Sequence, residues 1–306
     1  MCIEIGSSIL FFCASGFLFE EKIYFSNIEE YKVFVKKYVM RLLRPLIFFE
    51  SINIILESIK MRIQGIETYE IIIDNIKHIC FYPYGALWYI QACIVGIILA
   101  YPFIINRKIN LALVIGFIGY LFALLSNNYY FLTDNVLNCL KDFIDSYLYI
   151  FISARNGIFV GFFMLLLGVK TYDLYIETRI SKNNKGLLYF CIFFYFVYIV
   201  EVISLFNLKY ADDGALYFSH IAFIPLFLLN LVICRMKNEK TVILRNLSTG
   251  IYLLHRMIIS FLFIITYMFG VSFSVLTNFV VVFSGSMMIC LIVYKTNNKF
   301  ACSLLK

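Results

Sequence analysis

Apolar residues run in long, uninterrupted blocks along this chain, and charged residues collect between the blocks. About nine blocks are long enough to predict membrane-crossing helices, near residues 3–19, 40–59, 84–105, 109–126, 153–170, 187–206, 215–234, 247–268 and 271–294. The first is short and the second carries charge, so these two are the weakest of the set. Continuous apolar runs, rather than strict apolar–polar alternation, argue against a transmembrane barrel. The stretch "NVLNCLKDFIDSYLYI" near 135–150 differs from the others. It is apolar on one side and carries Lys141, Asp142 and Asp145, which predicts a helix lying in the membrane interface rather than crossing it.

Composition agrees with this pattern. Hydrophobic residues make up 62%, charged residues only 15%, and mean hydropathy is +0.87. A soluble globular chain carries about 25% charged residues, so this one has too little charge to coat a water-exposed surface. The expected fold is all-α: a polytopic membrane helical bundle, with residues 1–306 forming a single integral-membrane domain. Ile, Phe, Tyr, Asn and Lys are all abundant, as a biased genome composition would make them, so aromatic richness alone assigns no role.

Charge adds a topology. One set of alternate connections holds Lys22, Lys32, Lys36, Lys37, Arg41, Arg44, Arg107, Lys108, Lys170, Arg179, Lys182, Lys185, Arg235, Lys237, Lys240, Arg245, Lys295, Lys299 and Lys306. The other holds Lys60, Arg62, Lys77, Lys141 and Lys209. About nineteen basic residues against about five satisfies the positive-inside rule and predicts a cytoplasmic C-terminus. This distribution explains the net charge of +7 without nucleic acid as a partner. An odd number of spans then puts Met1 outside. Cys2 and Glu4 stand where a signal peptide would carry its positive n-region, and bulky Phe12 precedes Cys13 in "LFFC", a poor lipoprotein signal. The expectation is a chain that opens on the second helix of a larger set.

Candidate chemistry is sparse. The nine cysteines are scattered without a C-x-x-C pair, which supports packing rather than a disulfide framework or a metal site. No H-E-x-x-H or G-x-S-x-G element is present. Arg155 and Glu201 lie in apolar surroundings, where an ionised side chain is costly. Arg155 is either a snorkelling residue at a helix end or part of a polar cavity. Glu201 is either a partner for such an arginine or a lone protonated carboxyl. Gly157, Gly161 and Gly168 follow Arg155 on or near one helix face and predict close helix packing. Trp88, the only tryptophan, fits an interfacial aromatic belt. His78 falls in an outer connection, His220 near the end of a span and His255 beside Arg256, and each is expected to be structural. Arg41 and Arg44 sit one turn apart at the start of an apolar block, followed by Pro45, which suits a helix's first turn. On chemistry alone they are membrane anchors or a ligand clamp.

Five stretches in order, "ILFFCASGFLFEEK", "VKKYVMRLLRPLIFFE", "GALWYIQACIVG", "ARNGIFVGFFMLLLGV" and "LSTGIYLLHRMII", resemble acyltransferase family 3 from about residue 7 to about 260. These are bacterial integral-membrane acyltransferases of about ten helices that modify surface polysaccharides and other exported glycans. The resemblance implies acyl-CoA, most often acetyl-CoA, as a cytoplasmic donor and a carbohydrate hydroxyl at the outer face as acceptor, in the bacterial inner membrane. It matches the family's R-x-x-R pattern, linked to donor handling, to Arg41 and Arg44. It matches the S-G-F element to Ser15, Gly16 and Phe17, the L-W element to Leu87 and Trp88, and the R-N-G element to Arg155, Asn156 and Gly157. Arg155, Glu201 and Trp88 are the expected cavity or substrate residues, and no metal is implied. The family's first helix, which carries an arginine and the histidine expected to act as base, has no counterpart here. The chain is therefore expected to be N-terminally incomplete relative to the family, through a start codon that lies upstream, a truncated and inactive gene, or a partner chain that supplies the helix; His78, His220 and His255 do not occupy that motif position. A glycan polymerase, flippase or transporter, or a non-catalytic membrane subunit, remains the alternative reading. The acceptor and the oligomeric state are left open by the sequence.

Overall fold

A computed structural model describes residues 7–24, 28–136, 138–178, 185–207, 216–234 and 240–296. Cys2, Glu4, Arg179, Lys182, Lys209, Arg235, Lys237, Lys299, Cys302 and Lys306 lie outside the described residues. Among the described residues every regular element is helical. In chain order these are α1 (Ser7–Ile23), α2 (Ile28–Ile63), α3 (Thr68–Cys80), α4 (Leu87–Ile105), α5 (Ile109–Leu125), α6 (Phe131–Val136) and α7 (Asn138–Phe151). A π-helical turn at Gly157–Gly161 then leads into α8 (Phe162–Thr178), followed by α9 (Lys185–Asn207), α10 (His220–Ile233), α11 (Lys240–Phe269) and α12 (Val275–Thr296).

Each apolar block falls on a helix, as an all-helical membrane bundle requires. A helix satisfies its own backbone hydrogen bonds and needs no water to do so. Among the described residues, five segments are long and apolar enough to cross a bilayer: Leu87–Ile105, Gly157–Glu177, Lys185–Phe206, Leu247–Phe269 and Val275–Thr296. Only 11% of the apolar window of Lys185–Phe206 is buried by protein, against 67% for Gly157–Glu177. The first therefore turns its apolar side chains to lipid, and the second is a core helix.

Two elements differ from the sequence expectation. Helix α2 begins at Ile28 and runs through Pro45, which lies in its interior rather than in a first turn. Proline removes one rung of the ladder, the N–H that would meet the carbonyl of Arg41. A helix of 36 residues holds together around one missing rung, and the ring of Pro45 is buried. The connection after α2 also contains α3, which is too short at 13 residues to register as a span. Its apolar residues Tyr69, Ile72, Ile73, Ile76 and Ile79 are all exposed and recur at helical spacing, the pattern of an interfacial helix. The amphipathic stretch near 135–150 does form a separate helix, α7, with Ile144 buried and Phe143, Tyr149 and Ile150 exposed.

The chain forms two compact units, each discontinuous in sequence: residues 1–39 with 92–235, and residues 40–91 with 236–306. In the first, α1 lies directly on α8. A Cβ on Gly16 would sit 2.0 Å from the carbonyl oxygen of Leu165, and one on Gly168 would sit 2.0 Å from that of Cys13. The two backbones touch because neither glycine has a side chain to hold them apart. Phe12, Cys13, Phe17, Met164, Leu165 and Leu166 close this interface, and the ring of Phe17 packs edge-on against Tyr172. Gly157 and Gly161 approach α4 instead, at Ala92 and Val95. The glycine series thus does promote close packing, but it serves two neighbouring helices. Cys13, Cys93, Cys191 and Cys290 are buried and form no disulfide. In the second unit α11 packs on α12, α2 joins α11 through the Arg256–Glu57 contact, and α3 joins α2 through Asn75 and Ser58.

Candidate functional site

Arg41 and Arg44 are exposed on α2, and Lys37 lies one turn before Arg41 on the same side. Positions four and three residues apart stack on one helical face, so the three cations form a single stripe. Guanidinium groups present planar, multidentate donors that suit phosphate oxygens.

Beyond this stripe the second unit contains a polar cluster built around Glu57. Its carboxylate, only 4% exposed, accepts from Arg256 Nη2 at 2.8 Å, Ser260 Oγ at 2.7 Å and Lys60 Nζ at 3.0 Å. Gly85 packs beneath Arg256 with a φ of +62°, and a Cβ there would lie 2.5 Å from Arg256 Cγ. Glycine is needed for both the backbone angle and the space. The adjoining loop is held by two further bonds. Glu50 accepts the Tyr84 N–H on both oxygens, at 3.1 and 3.2 Å, and the Tyr252 hydroxyl donates to the Ala86 carbonyl at 2.6 Å.

Helix α3 turns its polar face into this cluster. Asn75 Nδ2 donates to Ser58 Oγ at 2.8 Å, which fixes the register of α3 on α2. The Tyr84 hydroxyl reaches Asp74 Oδ2 at 2.8 Å and Asn75 Oδ1 at 3.0 Å. The His78 ring stacks on Tyr84, with centroids 3.7 Å apart and planes 20° from parallel. His78 Nδ1 lies 2.5 Å from the Tyr82 carbonyl, and its Nε2 lies 3.6 Å from Asp74 Oδ2. Burial pushes the imidazole below its ordinary pKa, although the Tyr82 carbonyl, Asp74 and Glu57 pull the other way. Trp88 is buried rather than facing lipid in a belt, and its ring stacks on Tyr82 at 6.1 Å.

Arg155 and Glu201 belong to the first unit. Arg155 is half-buried in the break between α7 and the π-helical turn, and its N–H donates to Ser153 Oγ at 3.0 Å. The next two residues have structural tasks. Asn156 caps the turn by accepting from the N–H groups of Ile158 and Phe159, and Gly157 admits α4. Glu201 accepts from the Tyr129 hydroxyl and from the backbone N–H groups of Phe218 at 2.6 Å and Ser219 at 2.9 Å. These donors lie just before α10, where N–H groups lack helical partners and the dipole favours a negative charge. The carboxylate thus has a structural reason to be in the membrane. His220 is fully buried and stacks on Tyr198. His255 Nδ1 contacts the carbonyl of Tyr252 in its own helix at 2.6 Å.

Asp74, Tyr84, Arg256 and Glu57 escaped the sequence analysis as site residues. Glu50 and Glu57, two turns apart and the only charged residues of α2 between Arg44 and Lys60, were the visible signal. Among the described residues no group of three His, Cys, Asp or Glu side chains is placed to hold a metal ion.

Residues 8–295 match the family model described as an acyltransferase domain, the model of acyltransferase family 3. No curated protein and no solved structure matches the chain.

Proposed function

The chain belongs to acyltransferase family 3, and from that premise we propose that it is a membrane O-acyltransferase using acyl-CoA as donor and a glycan hydroxyl as acceptor. Acetyl-CoA is the proposed donor, a surface or exported polysaccharide the proposed acceptor, and the bacterial inner membrane, with the C-terminus cytoplasmic, the proposed location. The observation that carries this reading is the match over residues 8–295, which runs through both units. Among the residues, the exposed stripe of Lys37, Arg41 and Arg44 supports it. That stripe offers cations to the phosphates of the donor in the N-terminal half of α2, where basic residues accumulate. Arg155 in the first unit and Trp88 in the second are each proposed, separately, as substrate residues.

Transfer of labelled acetyl from acetyl-CoA to cell-surface polysaccharide tests the proposal, comparing a deletion strain with the same strain carrying this chain. Restored labelling is the expected result, and a complemented strain that stays unlabelled refutes it. In purified protein the double substitution Arg41→Ala with Arg44→Ala is expected to abolish acetyl-CoA binding by calorimetry. Binding unchanged from wild type removes the donor-site assignment.

A further inference from the structure

The second unit brings together polar groups that the proposed function does not yet use. Resting on that function, we infer that Asp74 and Arg256 form a subsite for the acceptor, and that the ligand it takes is an uncharged hexose residue held through its hydroxyls.

The two groups flank His78. Asp74 Oδ2 lies 3.6 Å from His78 Nε2, and the charges of both Asp74 and Arg256 reach the His78 ring. The side chains of Asp74 and Arg256 are 34% and 32% exposed, so a ligand reaches both. Each is also braced from behind. The Tyr84 hydroxyl holds Asp74 Oδ2 at 2.8 Å, while Glu57 holds Arg256 Nη2 at 2.8 Å above Gly85. Groups fixed in this way lose little freedom when a ligand binds.

Both keep hydrogen-bonding capacity on their open sides. Among the described residues Asp74 Oδ1 accepts no bond, and of the Arg256 nitrogens only Nη2 donates. A carboxylate only accepts and a guanidinium only donates. A hydroxyl does both, so neighbouring sugar hydroxyls satisfy the pair. A phosphate or an ammonium satisfies one member and is repelled by the other. The surrounding charge agrees. Two carboxylates, Glu57 and Asp74, stand with two cations, Lys60 and Arg256, so there is no net pull on an anion. An acidic sugar would bring its own carboxylate up to Asp74. The half-buried Tyr82, whose carbonyl meets His78, adds an aromatic ring beside the polar pair. Such a face attracts the C–H side of a hexose.

Position supports an acceptor rather than a donor. The Asn75–Ser58 bond sets α3 against α2 at a point 14 residues beyond Arg44 (58 − 44). At 1.5 Å per residue this is about 21 Å along the helix axis, out of about 30 Å of bilayer hydrocarbon. In the proposed topology Arg44 is on the cytoplasmic side, so α3 is on the outer side, where the glycan is.

The test measures binding, which needs no chemical step. Full-length protein in detergent is titrated with two sets of oligosaccharides of matched length, one of neutral hexoses and one of uronic acids. Trp88 is the chain's only tryptophan and its ring lies on Tyr82, so its emission reports occupancy. Wild type is expected to bind a neutral oligosaccharide, and more tightly than any acidic one. Asp74→Ala is expected to weaken neutral binding by about tenfold or more, the worth of one charge-assisted hydrogen bond. Its binding of uronic acids should hold or improve, because a like charge is gone. The Tyr84 hydroxyl keeps Asn75 Oδ1 at 3.0 Å as its acceptor, so little else is disturbed. Asp145→Ala, which removes a tyrosine-bonded carboxylate of the first unit, should bind as wild type. Wild type that binds no neutral oligosaccharide, or prefers acidic ones, overturns the inference. So does Asp74→Ala with both affinities unchanged, or with both reduced together, which would make Asp74 structural. If Asp74→Ala does not fold, Asp74→Asn keeps the shape without the charge, and an unchanged preference for neutral sugar overturns the inference. Labelled polysaccharide with sugar binding indifferent to Asp74 refutes only the subsite. Neutral-sugar binding at Asp74 without acetyl labelling refutes only the transfer.

Discussion

Gly16→Ala separates packing from helix propensity in the S-G-F element. By propensity alone, alanine in place of a helical glycine stabilises by up to about 1 kcal/mol. The structure predicts the opposite sign. The new Cβ would stand 2.0 Å from the Leu165 carbonyl oxygen, whereas ordinary contact begins at 3.4 Å. The backbones of α1 and α8 must therefore separate locally by about 1.4 Å (3.4 − 2.0), because the clashing atom is backbone and cannot rotate away. The same interface has the reciprocal approach at Gly168 and Cys13, so it cannot pivot on that side. Overpacking costs about 1–3 kcal/mol, and a main-chain clash belongs at the top of that range. Offset by propensity, the net loss is about 2 kcal/mol, roughly 3 °C in melting temperature at about 2.1 cal/mol/K of unfolding entropy for each of 306 residues. Gly285→Ala is the matched control. Its Cβ would meet only Ile258 Cδ1 at 3.6 Å, an ordinary contact, so melting is expected to hold or rise. Thermal unfolding of the purified proteins in detergent, followed by intrinsic fluorescence, compares them. A Gly16→Ala protein at least as stable as wild type, or the two variants moving together, refutes the close approach of α1 and α8.

Two further outcomes are expected. Glu57→Leu should destabilise by about 2–3 kcal/mol, below the 3–5 kcal/mol of a fully buried pair because Arg256 is about a third exposed. Adding Arg256→Leu should recover part of the loss in a double-mutant cycle, and strict additivity would disprove the pairing. Glu201→Ala should leave the Phe218 and Ser219 N–H groups without their acceptor and accelerate hydrogen exchange over residues 216–222. Glu201→Gln, which keeps an acceptor oxygen, should do so less. Loss of acyl transfer with exchange unchanged would make Glu201 a substrate group rather than a cap.

Much of the fold was legible in the linear pattern because lipid imposes one rule on every span. A run of apolar residues long enough to cross the bilayer must be helical, since nothing else satisfies its backbone there. The blocks at 84–105 and 187–206 are read correctly for that reason. Helix α3 was not, because an interfacial helix is defined by periodicity over a short stretch, and its Ile72, Ile73, Ile76 and Ile79 stripe lies between polar residues that read as a loop. The interior position of Pro45 was equally hidden. A proline starts or interrupts a helix with the same letters, and only packing around its ring decides which.

The sequence by itself determined the class of the molecule, the approximate placement of its helices, the glycines that allow close packing and the exposed Arg41–Arg44 pair. These follow from local composition and spacing, and the family match agrees with them. Tertiary structure alone decided what the buried polar residues do. Glu57 meets Arg256 across 199 positions, Glu201 meets Ser219 across 18, and Trp88 turns from a lipid boundary to the ring of Tyr82. His78 meets a carbonyl and a ring only because Tyr82 and Tyr84 fold back onto it. A charge in lipid must find a partner, and the linear order of residues does not say which one is near.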